Sequence, residues 1–130
     1  MVDCDWTRVV IDHVHIRVRD ATESVAFYKA VLEPLGIPPL WEGERGAQLA
    51  NLVVTDDEPR TSGPVHIAFV ADSREQVDAF YRAGIEAGAR NNGAPGVRDR
   101  YSSEYGGRYY AAFLLDPDGN NVEAVRREFD

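Results

Sequence analysis

Basic charge, sulfur and long hydrophobic runs are all scarce in this chain of 130 residues. Lys and Arg together number 14 against 22 Asp and Glu, a formal net charge of −8. That balance argues against a nucleic-acid partner, because phosphate backbones attract basic faces. Lys29 is the sole lysine; arginine supplies every other basic residue. One cysteine, Cys4, excludes an internal disulfide and suits a reducing compartment. No apolar run reaches the roughly 20 residues of a membrane-spanning helix, and the opening MVDCDWTRVV has no secretory-signal pattern. The expectation is a cytoplasmic protein with neither a nucleic-acid nor a membrane partner.

What is present is enough apolar material for a core: 44% hydrophobic residues, with 2 Trp and 6 Tyr among them. The length fits one domain over 1–130. Inside it a short word recurs, AFYKA at 26–30 and AFYRA at 79–83, an offset of 53 residues. The same offset maps His13 to His66, Val14 to Ile67, Ile16 to Phe69 and Leu32 to Ile85. Repetition over a strand and the helix after it means two copies of one supersecondary unit.

Each copy has the same plan. VIDHVHIRV (10–18) alternates, with Val14, Ile16 and Val18 on one face and Ile11, His13, His15 and Arg17 on the other. Asp20 and Glu23 have capping-box spacing ahead of a helix over about 21–35, which ends where LGIPP forbids continuation. PLWEG and AQLANLVV read as strands, and TDDEPRTSG as a polar linker. The second copy has a strand over 65–71 and a helix over about 73–87, capped by Asp72 or Ser73 and closed by Gly88. The Gly-rich stretch 91–107 predicts one short strand within a mobile connection; RYYAAFLL and NNVEAVRR predict two strands joined by the turn DPDG. The fold class is α+β: two βαβββ modules, 1–56 and 64–130, with mainly antiparallel pairing. Trp6 and Trp41 are expected to pack, at a module or subunit interface.

The histidine face of each copy is where chemistry can be sought. His13 and His66 occupy equivalent places, and Glu123 interrupts an otherwise apolar final strand, where an unpaired carboxylate is expensive to bury. Two histidines and a carboxylate can hold a divalent ion and leave positions open. A strand histidine or glutamate taken singly is more often an ordinary polar residue; the symmetric placement is what lets the metal reading compete.

DHVHIRVRDATESVAFYKAVLEPLGI, GPVHIAFVADSREQVDAFYRAGIEAGA and YYAAFLLDPDGNNVEAV together resemble the vicinal oxygen chelate superfamily, over nearly the whole chain apart from about 89–108. That superfamily takes in glyoxalase I, bleomycin-resistance proteins, fosfomycin-resistance enzymes and extradiol dioxygenases. The resemblance implies a glyoxalase-like fold: paired βαβββ modules forming a curved sheet around a cleft, in a homodimer. It also implies a divalent metal (Fe, Mn, Ni, Co or Zn) on His13, His66 and Glu123, the residues the repeat selects.

No single activity transfers whole. The fourth, acidic ligand of glyoxalase-I-like members is missing from AQLANLVV, which offers Gln48 and Asn51. The tyrosine that extradiol dioxygenases carry ten residues before the metal glutamate is Phe113 here, and the threonine of fosfomycin-resistance enzymes is His15. The function expected is a metal-dependent lyase, isomerase or dioxygenase acting on a small-molecule substrate chelated through two oxygens. The alternative is a metal-free, bleomycin-resistance-like protein that sequesters a small molecule.

His15 lies ~7 Å along the strand from His13, too far to be a duplicate ligand without distortion, and is the candidate catalytic acid or base, against the simpler reading of a polar residue at the rim of the cleft. Tyr101, Tyr105, Tyr109 and Arg98 are the candidate substrate contacts, against the simpler reading that these aromatics pack the sheet.

Overall fold

The computed structural model describes residues 9–102 and 107–129. β1 (Val14–Arg17), α1 (Ala21–Leu32), β2 (Pro39–Gly43), β3 (Gly46–Leu49) and β4 (Leu52–Thr55) make the first unit. β5 (His66–Val70), α2 (Arg74–Glu86), β6 (Arg90–Val97), β7 (Arg108–Leu115) and β8 (Asn121–Glu128) make the second, with a one-turn α3 (Asp99–Ser102) after β6. Each unit forms a four-stranded sheet, in the orders β1-β4-β3-β2 and β5-β8-β7-β6. The first and last strands of a unit are parallel and the remaining pairs antiparallel.

Local chemistry explains the boundaries. Asp20 caps α1 by accepting from the Glu23 amide, and Ser73, not Asp72, caps α2 by accepting from the Gln76 amide. After α1 the chain tightens into a 3-10 turn over Glu33–Leu35 and leaves through Gly36 in the left-handed region.

AQLANLVV divides into β3 and β4, because Ala50 takes a positive φ of 50° and turns the chain into a hairpin. An apolar residue at that turn gave no signal in the sequence. The first strand is shorter than its alternation predicts: β1 starts at Val14, so His13 stands just before it. The segment expected to hold one short strand instead carries an eight-residue β6, with register shifts around Gly93. A Cβ on Gly93 would meet the Phe113 ring at 2.9 Å, so the glycine is what lets β6 lie close over β7.

Both helices cover the same face of their sheets. Ile16, Val18, Leu49 and Val54 pack with Tyr28, Val31 and Leu32; Leu114, Val122 and Ala124 pack with Val77 and Phe80, all in one cluster. The recurring AFY words therefore sit inward, with Phe27, Tyr28 and Phe80 buried and Tyr81 partly so. The units also meet through this side, where α1 packs on α2. Buried Asp116 pins the junction: it accepts from the Tyr28 hydroxyl at 2.6 Å and from the Asn120 amide at 2.8 Å. The opposite faces, which carry the histidines, remain open.

Candidate functional site

Cross-strand register shows how the two faces correspond. In the second sheet His66 pairs with Asn121 and Ala68 with Glu123; in the first, Val14 pairs with Leu52 and His15 with Val53. The offset of 53 residues carries β1 onto β5, so His15 stands where the second sheet has Ala68, and their partners Val53 and Glu123 correspond at a longer offset.

Glu123 is 1% exposed on β8, on the face opposite the helix-covered Val122 and Ala124. Its Oε1 lies 2.5 Å from His66 Nε2, and its Oε2 accepts from the Tyr109 hydroxyl at 2.7 Å. Burial and the bond to Glu123 hold the Tyr109 phenol well above its ordinary pKa, keeping it a donor. The His66 side chain is 53% exposed, so the buried carboxylate reaches the surface through it.

The opening leads to a cavity of about 650 Å³, lined by His66, Asn92, Arg98, Tyr101, Phe113 and Asn121 among others. Its size suits a small molecule. Arg98 spans it, with its guanidinium 5.3 Å from the Phe113 ring centroid and bonded to the Ala94 carbonyl. Tyr101 packs on Tyr109 at 5.2 Å between ring centroids. Of the four expected substrate contacts, Arg98 and Tyr101 line the cavity with His66, and Tyr109 lies buried against Glu123; Tyr105 lies outside the described residues, as do Cys4 and Trp6. Tyr110 points to the other face, where it donates to Asp78.

His13 does not join this group. It is exposed at the mouth of β1, with Nδ1 2.8 Å from Asp12 Oδ2. Among the described residues no three His, Cys, Asp or Glu side chains converge as a metal site. The donor chemistry nonetheless suits an ion. His66 and Glu123 already aim donor atoms at each other, and the Asp12 contact engages only Nδ1 of His13, an arrangement that suits an imidazole ligating through its other nitrogen.

His15 makes a different set of contacts. Its Nε2 lies 2.7 Å from Thr55 Oγ1, and that hydroxyl lies 2.7 Å from Asp57 Oδ1. The Thr55 hydroxyl holds the Asp57 carboxyl below the usual carboxylate range. Gln48 pairs with Val53 and Trp41 with Gln48, so Trp41 shares this face. Within one chain it is 45% exposed, with its indole N–H donating to Gln48. Nothing in the sequence marked Thr55, Asp57, Gln48 or Trp41 as a set, because their proximity depends on the β3–β4 hairpin register.

Two βαβββ units, each a four-stranded sheet with one helix-covered face, and a histidine–glutamate pair opening from the second into a small cavity, define a protein of the glyoxalase-like α+β fold. The chain belongs to the Glyoxalase/Bleomycin resistance protein/Dioxygenase superfamily, whose family model matches residues 10–124. A glyoxalase/bleomycin resistance protein from Albidiferax ferrireducens is 34% identical, with a TM-score of 0.70 over 90% of this chain and 98% of that one. A glyoxalase/bleomycin resistance protein/dioxygenase family enzyme from Burkholderia phytofirmans is 25% identical, with a TM-score of 0.64 over 89% and 97%. Lactoylglutathione lyase from Agrobacterium tumefaciens shares the fold at 20% identity, with a TM-score of 0.63 over 92% and 94%. No curated protein matches the chain.

Proposed function

We propose that the protein is a metal-dependent enzyme of this superfamily, working as a cytoplasmic homodimer on a small substrate bound through two oxygens. His66 and Glu123 of one copy and His13 of the second hold a divalent ion drawn from Fe, Mn, Ni, Co and Zn. The observation that carries this reading is the His66–Glu123 pair: a carboxylate 1% exposed, aimed at a half-exposed imidazole beside a cavity. Two neutral imidazoles and one carboxylate suit such an ion and leave sites for substrate.

Support for a second copy comes from the strand edges. β1 and β5 are terminal strands of their sheets. Beside β1 runs an apolar stretch, with Val9, Val10 and Ile11 at 82%, 79% and 61% exposed, and Val70 on β5 is 78% exposed. Strand edges flanked by apolar side chains favour self-association; on β1 this leaves the part before Arg17, whose own amide and carbonyl are taken by Ser62. Joining β1 of one copy to β5 of another brings His13 towards His66 and Glu123.

When bound, the ion supplies Lewis acidity, polarising the substrate oxygens. Tyr109 orients Glu123 through Oε2. Arg98, Asn92 and Asn121 offer donors to an oxygenated or anionic substrate, and Phe113 and Tyr101 offer it an apolar wall. His15 is the proton-transferring group on the facing sheet.

Metal analysis tests the reading. Purified protein should hold about one divalent ion per chain, and His66→Ala or Glu123→Ala should lose it. Protein that is isolated without metal, and then takes up none of the five, overturns the enzyme reading. It leaves the metal-free binding protein, which one observation favours: His66 and Tyr109 together satisfy both oxygens of Glu123 without an ion.

A further inference from the structure

On the first sheet, away from the His66–Glu123 pair, three side chains from two segments form a directed chain: His15, Thr55 and Asp57. Direction follows from counting protons. An ionised carboxylate only accepts hydrogen bonds, and a hydroxyl has one proton to give. Asp57 is held ionised by the Thr55 hydroxyl and by nearby Arg17, so the Thr55 proton goes to Asp57 Oδ1. Thr55 Oγ1 is then an acceptor towards His15, and the atom 2.7 Å away, His15 Nε2, must carry the proton.

We propose that Thr55 and Asp57 are positioning residues that lock neutral His15 in its Nε2–H tautomer and so leave Nδ1 as an acceptor, which, resting on the substrate-facing role proposed above for His15, is the atom a ligand would meet. The group this selects on the ligand is a neutral donor, a hydroxyl or an amide N–H. An imidazole free to change tautomer accepts or donates as the ligand requires; a locked one discriminates, because an acceptor placed opposite another acceptor is left unpaired on desolvation.

Three features of the fold maintain the lock. Thr55 is buried at the end of β4, directly opposite Arg17 in the register. Arg17 Nε lies 3.5 Å from Asp57 Oδ1 and 3.6 Å from Glu58 Oε2, which keeps the start of the linker near the strand. The Ser62 amide donates to the Arg17 carbonyl, and the Ser62 hydroxyl accepts from the Arg17 amide, fastening the linker along the outer edge of β1. The chain of bonds uses neither His66 nor Glu123, so it stands whether or not a metal binds there.

The test is a ¹⁵N spectrum of the full chain at a pH where imidazole is neutral. With only three histidines in the sequence, His15→Gln assigns the signals. The wild type should show His15 protonated on Nε2, with Nδ1 bearing the lone pair. Thr55→Val removes the acceptor and should abolish that preference, while Thr55→Ser should restore it. Asp57→Ala frees the Thr55 proton to turn towards His15 and should shift the ring towards the Nδ1–H form; because Asp57 is exposed, this variant tests the idea even if Thr55→Val does not fold. A wild-type ring protonated on Nδ1, or a tautomer that ignores both Thr55→Val and Asp57→Ala, overturns the proposal.

Discussion

Glu123 and Val53 occupy the same position in the two sheets, each lying opposite the second-to-last histidine-face residue of its parallel neighbour strand, Ala68 and His15 respectively. The duplication is therefore unequal where chemistry would occur. In the second sheet the polar group is on the last strand of the unit; in the first it is on the first strand. At this cross-strand pair one face offers a buried carboxylate and the other an imidazole.

The buried carboxylate makes Tyr109 expensive to alter. Its hydroxyl is the donor to Glu123 Oε2, and removing one partner leaves a buried acceptor unsatisfied, at a cost of about 1–3 kcal/mol. Tyr109→Phe should lower the urea midpoint by that equivalent without changing the denaturant slope. Tyr110→Phe, whose hydroxyl meets the half-buried Asp78, should cost less. Equal midpoints for the two variants would contradict the view that Glu123 depends on Tyr109.

The self-association argued from the strand edges has a direct check. Sedimentation equilibrium should give a dimer for the wild type. A charge in the exposed stretch beside β1, Val10→Asp with Ile11→Asp, should give a monomer with unchanged far-ultraviolet circular dichroism, since both residues are exposed. A wild-type monomer at micromolar concentration removes the second copy from the proposed site.

The sequence made the architecture legible because helical and alternating patterns survive duplication, and the offset of 53 residues held from β1 to β5 and from α1 to α2. It singled out His66 and Glu123 on the same grounds, a histidine in a repeated place and an acid in an apolar strand. What stayed hidden depended on turns. Ala50 carries no turn chemistry, so the hairpin that places Trp41, Gln48 and Thr55 was not readable. The lone strand expected in the Gly-rich segment grew to eight residues, because Gly93 serves close approach to Phe113 rather than flexibility.

Acid should weaken the start of α1 through Asp56. The Ala21 amide, followed by Arg45, holds this carboxyl below its ordinary value. A depressed native pKa stabilises the fold above the unfolded value of about 3.9, and that contribution is lost as pH falls through the lower native value. Asp56→Asn removes the linkage. Its stability should fall less steeply than the wild type between about pH 5 and 3, measured by urea unfolding at each pH. Asp57 and Glu128 are lowered in the same sense, so part of the wild-type acid limb should persist; an identical limb would show that Asp56 takes no part.

Gly84 tests how tightly α2 is seated on its sheet. In an exposed helix, Gly→Ala stabilises by about 1 kcal/mol. Here a Cβ would lie 2.2 Å from Leu114 Cδ1, and Leu114 is fully buried in the shared cluster. Overpacking of this kind costs about 1–3 kcal/mol, so the helical gain should be outweighed and Gly84→Ala should lower the thermal midpoint. Leu114→Val on its own leaves space and should also destabilise. Combined, the two changes should lose less than the sum of the single losses, since the new methyl fills what the shortened side chain vacates. Strict additivity in that double-mutant cycle would mean that α2 shifts as a body instead of meeting Leu114.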